Sequence, residues 1–478
     1  VRALPPREIL ARVDVVLPLL VGGPRDLPER QRTMRRVVEW SHDLLGEAEK
    51  VAFARLSVFS GGFTPEAAEA VLLPPPKQDT LGGRAALDLV FSLLDKSLLV
   101  AGAADEERLG MLETIRAYGL ERLQASGEER SARRRHEDFF VGLGEEAETH
   151  LNGPDRDFWM RHLETEHDNI RAALSYSLSE GRTEVALRLA VAIFWFWLNG
   201  GHWSEGRSWF ERALAPDTEA TDRPRAGLST PAIRGKALYG AGALASFQGD
   251  YAASSPLLEE SAALWRELGS PTDLGYTLMF QNVEAMGKGE VDRALSLARE
   301  SVALFRMTDD TFGLAVALSA QGTAHRARQE FAEAHIALEE SARIARESND
   351  DWLLALPLQY LGLVTFQQGE YEEAEAYLKE SLIPSIRRSG DEWFGASLIE
   401  ALATLAAYRG DPTRAARLYG AAEAMREEIG TTVLPYEVTE HERGVMSARE
   451  ALGDEGYAAA WAEGRTMTPE QRIAEAVG

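Results

Sequence analysis

The chain has 478 residues, 45% of them hydrophobic and 27% charged, which excludes a disordered chain and allows about three domains or one long repeat array. It contains no cysteine, which excludes disulfides, thiolate metal sites and cysteine nucleophiles and fits a reducing cytoplasm. Its net charge of −25 is lopsided: residues 1–140 hold 20 Lys and Arg against 22 Asp and Glu, and residues 141–478 hold 31 against 54, so the long C-terminal part repels phosphate and is not expected to be a nucleic-acid platform. Helical spacing of apolar residues then marks Thr33–Leu45, Glu47–Phe59 and Pro65–Leu72, the last with Thr64 as N-cap and Pro65 in its first turn. Ser60-Gly61-Gly62 reads as the turn before that cap. Pro74-Pro75-Pro76 breaks the chain, and Ala85–Leu94 resumes as helix. Ser97–Ala101 and Arg108–Leu112 flank a Gly/Ala/Asp/Glu turn and read as a β-hairpin. Helices followed by a hairpin is the order of a small winged-helix domain, placed at 29–125. A long helical segment, Thr114–Leu151, follows, and 126–154 is read as a linking helix.

Beyond it the sequence repeats. The turns Gly249-Asp250-Tyr251, Gly289-Glu290-Val291, Gln329-Glu330-Phe331 and Gly369-Glu370-Tyr371 recur every 40 residues, and Gly410-Asp411-Pro412 follows after 41. Leu238, Leu278, Leu318 and Leu358 keep the same register, as do Ser261, Ser301, Ser341 and Ser381. A glycine position (Gly242, Gly322, Gly362) has Asn282 as its exception. Each unit reads as two helices around a turn, neither able to bury its apolar stripe alone, so stacking the pairs builds one continuous core. Weaker copies extend the array to 155–478. Glu166–Leu198 turns at Glu180-Gly181-Arg182, a Pro-rich insertion occupies Pro216–Pro231, and Tyr436–Leu452, Glu455–Glu463 and Pro469–Val477 serve as capping helices. The expected fold is mainly α: a winged helix, then an α-solenoid of helical hairpins that resemble tetratricopeptide repeats, with a period of 40 rather than about 34.

Several strings resemble one family closely. RQRTMRRVVEWSHDLL (Arg30–Leu45), FARLSVFSGGFTPEAAEAV (Phe53–Val71), LLDKSLLV (Leu93–Val100) and MLETIRAYGLERL (Met111–Leu123) are similar to bacterial STAND-type regulators, signal-transduction ATPases of the AfsR-like and LuxR-like kind. EHDNIRAAL (Glu166–Leu174) and RLYGAAEAMRE (Arg417–Glu427) look like the same family. The resemblance implies an NB-ARC-type ATPase upstream of the winged helix, with residues 1–28 as the tail of its helical subdomain, and a sensor formed by the repeats. It implies ATP or ADP with magnesium in that upstream domain and no cofactor in this chain. A P-loop needs Gly-x-x-x-x-Gly-Lys-Ser/Thr. Gly235-Lys236 and Gly287-Lys288 lack both the earlier glycine and the following hydroxyl, so the chain is expected not to be an enzyme by itself. The start on Val1 is read as the edge of a longer protein.

Other features are weighed against plainer roles. Glu166-His167-Asp168 reads as a metal or acid–base cluster, or, preferably, as helix surface and capping, because adjacent helical residues point apart. Arg133-Arg134-Arg135-His136 reads as a phosphate contact or, preferably, as a solvated helix face beside Glu128, Glu129, Glu137 and Asp138. The aromatic run Phe194-Trp195-Phe196-Trp197, with Trp203 and Trp209, lines a ligand pocket or, preferably, packs the first hairpins together. Leu87–Leu94 carries Asp88 and no cation, so the winged helix is not expected to contact DNA directly. The first helix of each pair is placed on the concave side. That nominates Lys236, Tyr239, Tyr276, Met279, Ser319, Arg326, Gln359 and Phe366 as the face for a protein partner or small-molecule effector. No catalytic, cofactor or metal residues are assigned, and no membrane span is read, since Ala190–Leu198 is about half the length one needs. The competing readings are a constitutive protein scaffold and a winged-helix DNA-binding regulator.

Overall fold

The computed structural model describes residues 34–73, 83–102, 108–153, 155–215, 230–388, 392–429, 433 and 438–478. Segment 1–28, the Pro74-Pro75-Pro76 break, the hairpin turn at 103–107 and the 216–229 part of the insertion lie outside them. Among the described residues the chain is twenty-two helices and a single two-stranded sheet. It divides into two compact units: the described residues up to Gly144 with His162–Arg182, and Glu145–Arg161 with Thr183 onward.

The first unit runs α1 (Met34–Asp43), α2 (Glu47–Leu56), α3 (Pro65–Leu72), α4 (Gly83–Asp95), β1 (Val100–Ala101), β2 (Leu109–Gly110), α5 (Glu113–Ser126) and α6 (Glu129–Glu148). Helices followed by a hairpin is the order the sequence predicts. Glu49 accepts the Gly46 N–H at 2.8 Å to start α2, and the Thr64 hydroxyl accepts the Ala67 N–H at 3.3 Å to start α3. β1 and β2 pair antiparallel, with Val100 opposite Gly110, and Phe63 bridges to Leu109 on the other side. Phe53, Leu56, Phe63, Leu93 and Tyr118 are buried in this unit. The segment expected as one long helix over 114–151 is two: Gly127, at φ 75°, takes the left-handed conformation that ends α5 before α6 begins.

Helix α7 (Arg156–Ser179) contributes its first turns to the second unit and the rest to the first, and α8 (Thr183–Ala192) follows the Gly181 turn. The divisions therefore fall inside α6, inside α7 and at that turn, whereas the sequence places one boundary at 154/155. Asn169 of α7 holds the Ser60–Gly62 turn. Its Oδ1 accepts the Ser60 N–H and its Nδ2 donates to the Gly62 carbonyl, both at 2.8 Å. Arg108 pairs with the buried Glu166 carboxylate, which also accepts from Asn169 Nδ2 at 2.7 Å. Arg171 donates to Asp168 at 3.0 Å. Glu166 is thus engaged in tying α7 to the hairpin, while Asp168 pairs within α7 itself.

The second unit continues with α9 (Phe194–Asn199), α10 (Trp203–Leu214), then hairpins α11 (Pro231–Phe247)/α12 (Tyr251–Leu268), α13 (Pro271–Gly287)/α14 (Val291–Phe305), α15 (Thr311–Ala327)/α16 (Phe331–Glu347), α17 (Asp351–Gln368)/α18 (Tyr371–Arg388) and α19 (Glu392–Tyr408)/α20 (Pro412–Ile429). It ends on α21 (Val438–Arg465), interrupted at Gly453, and α22 (Pro469–Val477). The serine register has a direct cause. Ser261, Ser301, Ser341 and Ser381 donate to the carbonyls of Gly235, Gly275, Ala315 and Ala355 at 2.7–2.9 Å, each bond joining the second helix of a hairpin to the first. The turn register requires a positive φ: 75° at Gly249 and Gly289, 61° at Gln329, 86° at Gly369 and 82° at Gly410. Gln329 adopts it without being glycine, in a turn braced by Glu330, which pairs with His325 at 2.7 Å and Arg328 at 2.8 Å.

Candidate functional site

Successive first helices α11, α13, α15, α17 and α19 touch one another along the array, forming its inner face. This face holds a partly enclosed cavity of about 160 Å³. The lining follows helical spacing: Trp195, Leu198 and Asn199 from α9; Met279, Asn282, Val283 and Met286 from α13; Val316, Ser319, Ala320 and Thr323 from α15; Trp352, Leu356 and Tyr360 from α17. Trp203, Phe247, Tyr251, Phe280 and Phe394 complete the aromatic wall. Among the described residues, no carboxylate, imidazole or cation lines it, in a chain of net charge −25. These described lining residues therefore offer no ligands to a metal ion and no counter-charge to a phosphate.

Its polar groups are mostly committed to the protein. Ser246 bonds Ser254 at 2.7 Å, Ser319 bonds Ser341 at 2.9 Å, Asn282 Nδ2 donates to the Ala294 carbonyl at 2.8 Å and Trp203 Nε1 to the Leu198 carbonyl at 2.7 Å. Asn199 is the exception. It is 9% exposed, and its Nδ2 is buried without a hydrogen-bond partner. Two of the lining tryptophans are held by residues before α8. The Arg156 guanidinium lies 3.4 Å from the Trp352 ring centroid, and with the Asn152 amide oriented to accept, Trp195 Nε1 donates to it at 3.0 Å. Phe312 stacks on Trp352 at 6.0 Å and meets Trp195 edge-on at 5.6 Å, so the two tryptophans are held through a shared ring.

The residues nominated from sequence separate into groups. Met279 and Ser319 line the cavity. Tyr239 lies behind it, stacked on Phe280 at 5.9 Å, and Tyr276 meets Trp195 at 5.9 Å while donating to Asp310 at 2.8 Å. Burial pushes both phenols well above their ordinary range, with Asp310 adding to the effect at Tyr276. Lys236 pairs with Glu148 at 2.9 Å. Gln359 and Phe366 line a separate cavity of about 30 Å³ with Glu400, Glu440 and His441, and the buried Arg326 reaches Glu440 at 3.6 Å. The first turn of α21 thus occupies the inner face where these three side chains lie. The aromatic run does both things considered for it: Trp195 and Trp203 line the cavity, while Phe194, Phe196 and Trp197 are packed inside. Sequence reasoning passed over Trp352, Leu356, Tyr360, Val316 and Ala320. The spacing of the first three is that of a helix face, which is also the spacing of ordinary core.

In the first unit the basic run is only partly a solvated face. Arg133 pairs with Glu129 at 2.9 Å, but Arg135 donates to the Val71 carbonyl at 2.6 Å and His136 is 3% exposed, between Phe59 and Phe140. Burial holds the His136 imidazole down at about 4. Lys96, just beyond α4, is paired with Glu49.

Comparison with known proteins places a tetratricopeptide repeat at residues 358–384. The chain is 35% identical over 283 residues, 57% of its length, to a Mycobacterium tuberculosis protein named "Putative HTH-type transcriptional regulator", and equally to its Mycobacterium bovis counterpart. It is 34% identical over 127 residues to an uncharacterized M. tuberculosis protein. The chain covers 30% of the length of the regulators and 31% of the uncharacterized protein. Among solved structures it is similar to a Signal Transduction ATPase with Numerous Domains (STAND) protein with a tetratricopeptide repeat sensor from Pyrococcus horikoshii, at 12% identity and a TM-score of 0.46, over 97% of this chain and 69% of that one. It is also similar to the APC/C hetero-tetramer Cut9–Hcn1, at 14% identity and a TM-score of 0.37, over 90% of this chain and 72% of that one. The chain thus carries a tetratricopeptide repeat, and over 283 residues it is similar to proteins named as HTH-type transcriptional regulators, of whose length it covers 30%.

Proposed function

We propose that this chain is the sensor and interdomain-coupling portion of a signal-transduction ATPase that regulates transcription, and that it binds a small-molecule effector on the inner face of its repeats. The observation that carries the reading is the uncharged aromatic cavity, built from the first helices of successive hairpins. The relatedness to HTH-type regulators over 283 residues supports the regulatory half of it. ATP or ADP and magnesium belong, in this reading, to a nucleotide-binding domain outside these residues, and the chain performs no chemistry of its own in the cytoplasm. The effector acts by binding one of two states better than the other. Arg156 and Asn152, which hold the cavity tryptophans, precede or begin α7, and that helix continues into the winged-helix unit, so it is the covalent route for coupling.

Filling the cavity tests this. Ala320→Trp places an indole in the space, and the gene carrying it, returned to a deletion strain, is expected to fail to restore wild-type transcript levels while the protein accumulates normally. Full complementation by Ala320→Trp rejects the sensor reading and leaves a constitutive scaffold, whose partner surface lies elsewhere.

A further inference from the structure

We infer that the effector is a neutral, planar aromatic molecule of one or two rings, with a hydrogen-bond acceptor directed at Asn199. This rests on the sensor reading and adds the chemical class of what is sensed. Size comes first. A cavity of about 150 Å³ lined by apolar side chains accepts benzene, so about 160 Å³ suits one ring or a compact fused pair and is too small for a peptide or an oligosaccharide. Charge comes second. An ion moved into a site without a counter-charge loses its hydration uncompensated, and among the described residues none that lines this cavity is charged. Shape comes third. Trp195, Trp352, Phe280 and Tyr360 present ring faces and edges, which favour a flat π-system over an aliphatic chain. The polar group comes last. The lining hydroxyls of Ser246 and Ser319, the Asn282 amide and the Trp203 indole are bonded within the protein, whereas Asn199 Nδ2 is buried without a partner. A buried donor left unmade is costly, and a ligand carbonyl supplies what it lacks.

The probes are coumarin, naphthalene and coumarin-3-carboxylate, titrated into the full chain and followed by tryptophan fluorescence, since Trp195, Trp203 and Trp352 line the site. Saturable quenching by coumarin is expected, with the carboxylate at least about tenfold weaker. Ala320→Trp abolishes the quenching, and Ile336→Ala, at a position 68% exposed on α16, leaves it unchanged. Asn199→Leu keeps the site apolar and removes the donor, so it weakens coumarin and spares naphthalene. That variant carries the test even where Ala320→Trp fails to fold. Absence of saturable quenching by both neutral probes, or equal affinity for the carboxylate, overturns the assigned ligand class. An Asn199→Leu protein that binds coumarin as wild type does overturns the role of Asn199. If the neutral probes fail while Ala320→Trp still abolishes complementation, the ligand class falls and the sensor reading stands.

Discussion

His136 is an ionisable group placed where a charge is expensive. Its ring lies 5.1 Å from Phe59 and 4.6 Å from Phe140, and its Nε2 is 3.3 Å from Asn169 Oδ1, the oxygen that also accepts the Ser60 N–H. The neutral ring with hydrogen on Nε2 satisfies that contact. Burial holds its pKa at about 4, against about 6.5 for the unfolded chain. Between those values the unfolded state binds a proton that the folded state refuses, so stability is full above about pH 6.5 and falls as the pH drops toward 4. The expected loss between pH 7 and pH 5 is about 2 kcal/mol, read from urea unfolding at the two values. His136→Gln removes that part of the slope, and an unaltered slope means that another group is responsible. The sequence places this histidine in a basic run and gives no sign of its burial, because a run of charges carries no information about which helix covers it.

The helix pairs were legible for a physical reason: partners recur at fixed separations. A Cβ at Gly242, Gly322 or Gly362 would lie 2.5–2.7 Å from Cγ of Leu258, Leu338 or Leu378, which is why the register keeps glycine. Where Asn282 breaks it, the leucine register holds Ala298, so a larger residue on one helix faces a smaller one on the other. That exchange becomes legible only once the facing helix is known. It predicts coupling: Gly322→Ala alone costs about 1–3 kcal/mol by overpacking, Leu338→Ala alone about 2–5 kcal/mol by leaving a void, and the double variant costs less than the two together by at least about 0.5 kcal/mol. Strict additivity in a urea double-mutant cycle rejects the contact. The cavity had no such signal. A hole is the space that Val316, Ser319 and Ala320 leave unfilled between larger neighbours, and Trp352, Leu356 and Tyr360 share their spacing with buried core. Met279 and Ser319, nominated on the first helices, lie on the cavity wall, but the sequence does not say where along that face the space opens.

At the scale of the whole repeat array, stability depends on how it ends. Arg266, Arg306 and Arg346 pair with Glu300, Glu340 and Glu380 in step with the repeat, but these pairs are exposed and each is worth little. The open end of an array leaves an apolar face that a cap must cover. Helix α21 packs on α20 by unusually close approach: a Cβ at Gly464 would run into the Arg417 carbonyl and one at Gly420 into the Trp461 carbonyl, both main-chain atoms that no rotamer change can move. Behind them, buried Glu400 pairs with Arg426 and with His441 at 2.9 Å, and Thr404 bonds Tyr419 at 2.9 Å. Helix propensity alone makes glycine to alanine favourable by about 1 kcal/mol, so the sign of Gly464→Ala reports which effect wins. The main-chain clash wins: Gly464→Ala is expected to destabilise the chain by about 1–3 kcal/mol and to raise binding of a dye for exposed apolar surface as the core around Ala421, Ala422 and Ala460 loosens. Gly456→Ala, on the exposed side of the same helix and near only Leu452, stays within about 0.5 kcal/mol of wild type. Equal behaviour of the two variants in thermal and dye-binding measurements would show that α21 is not seated on α20 through Gly464.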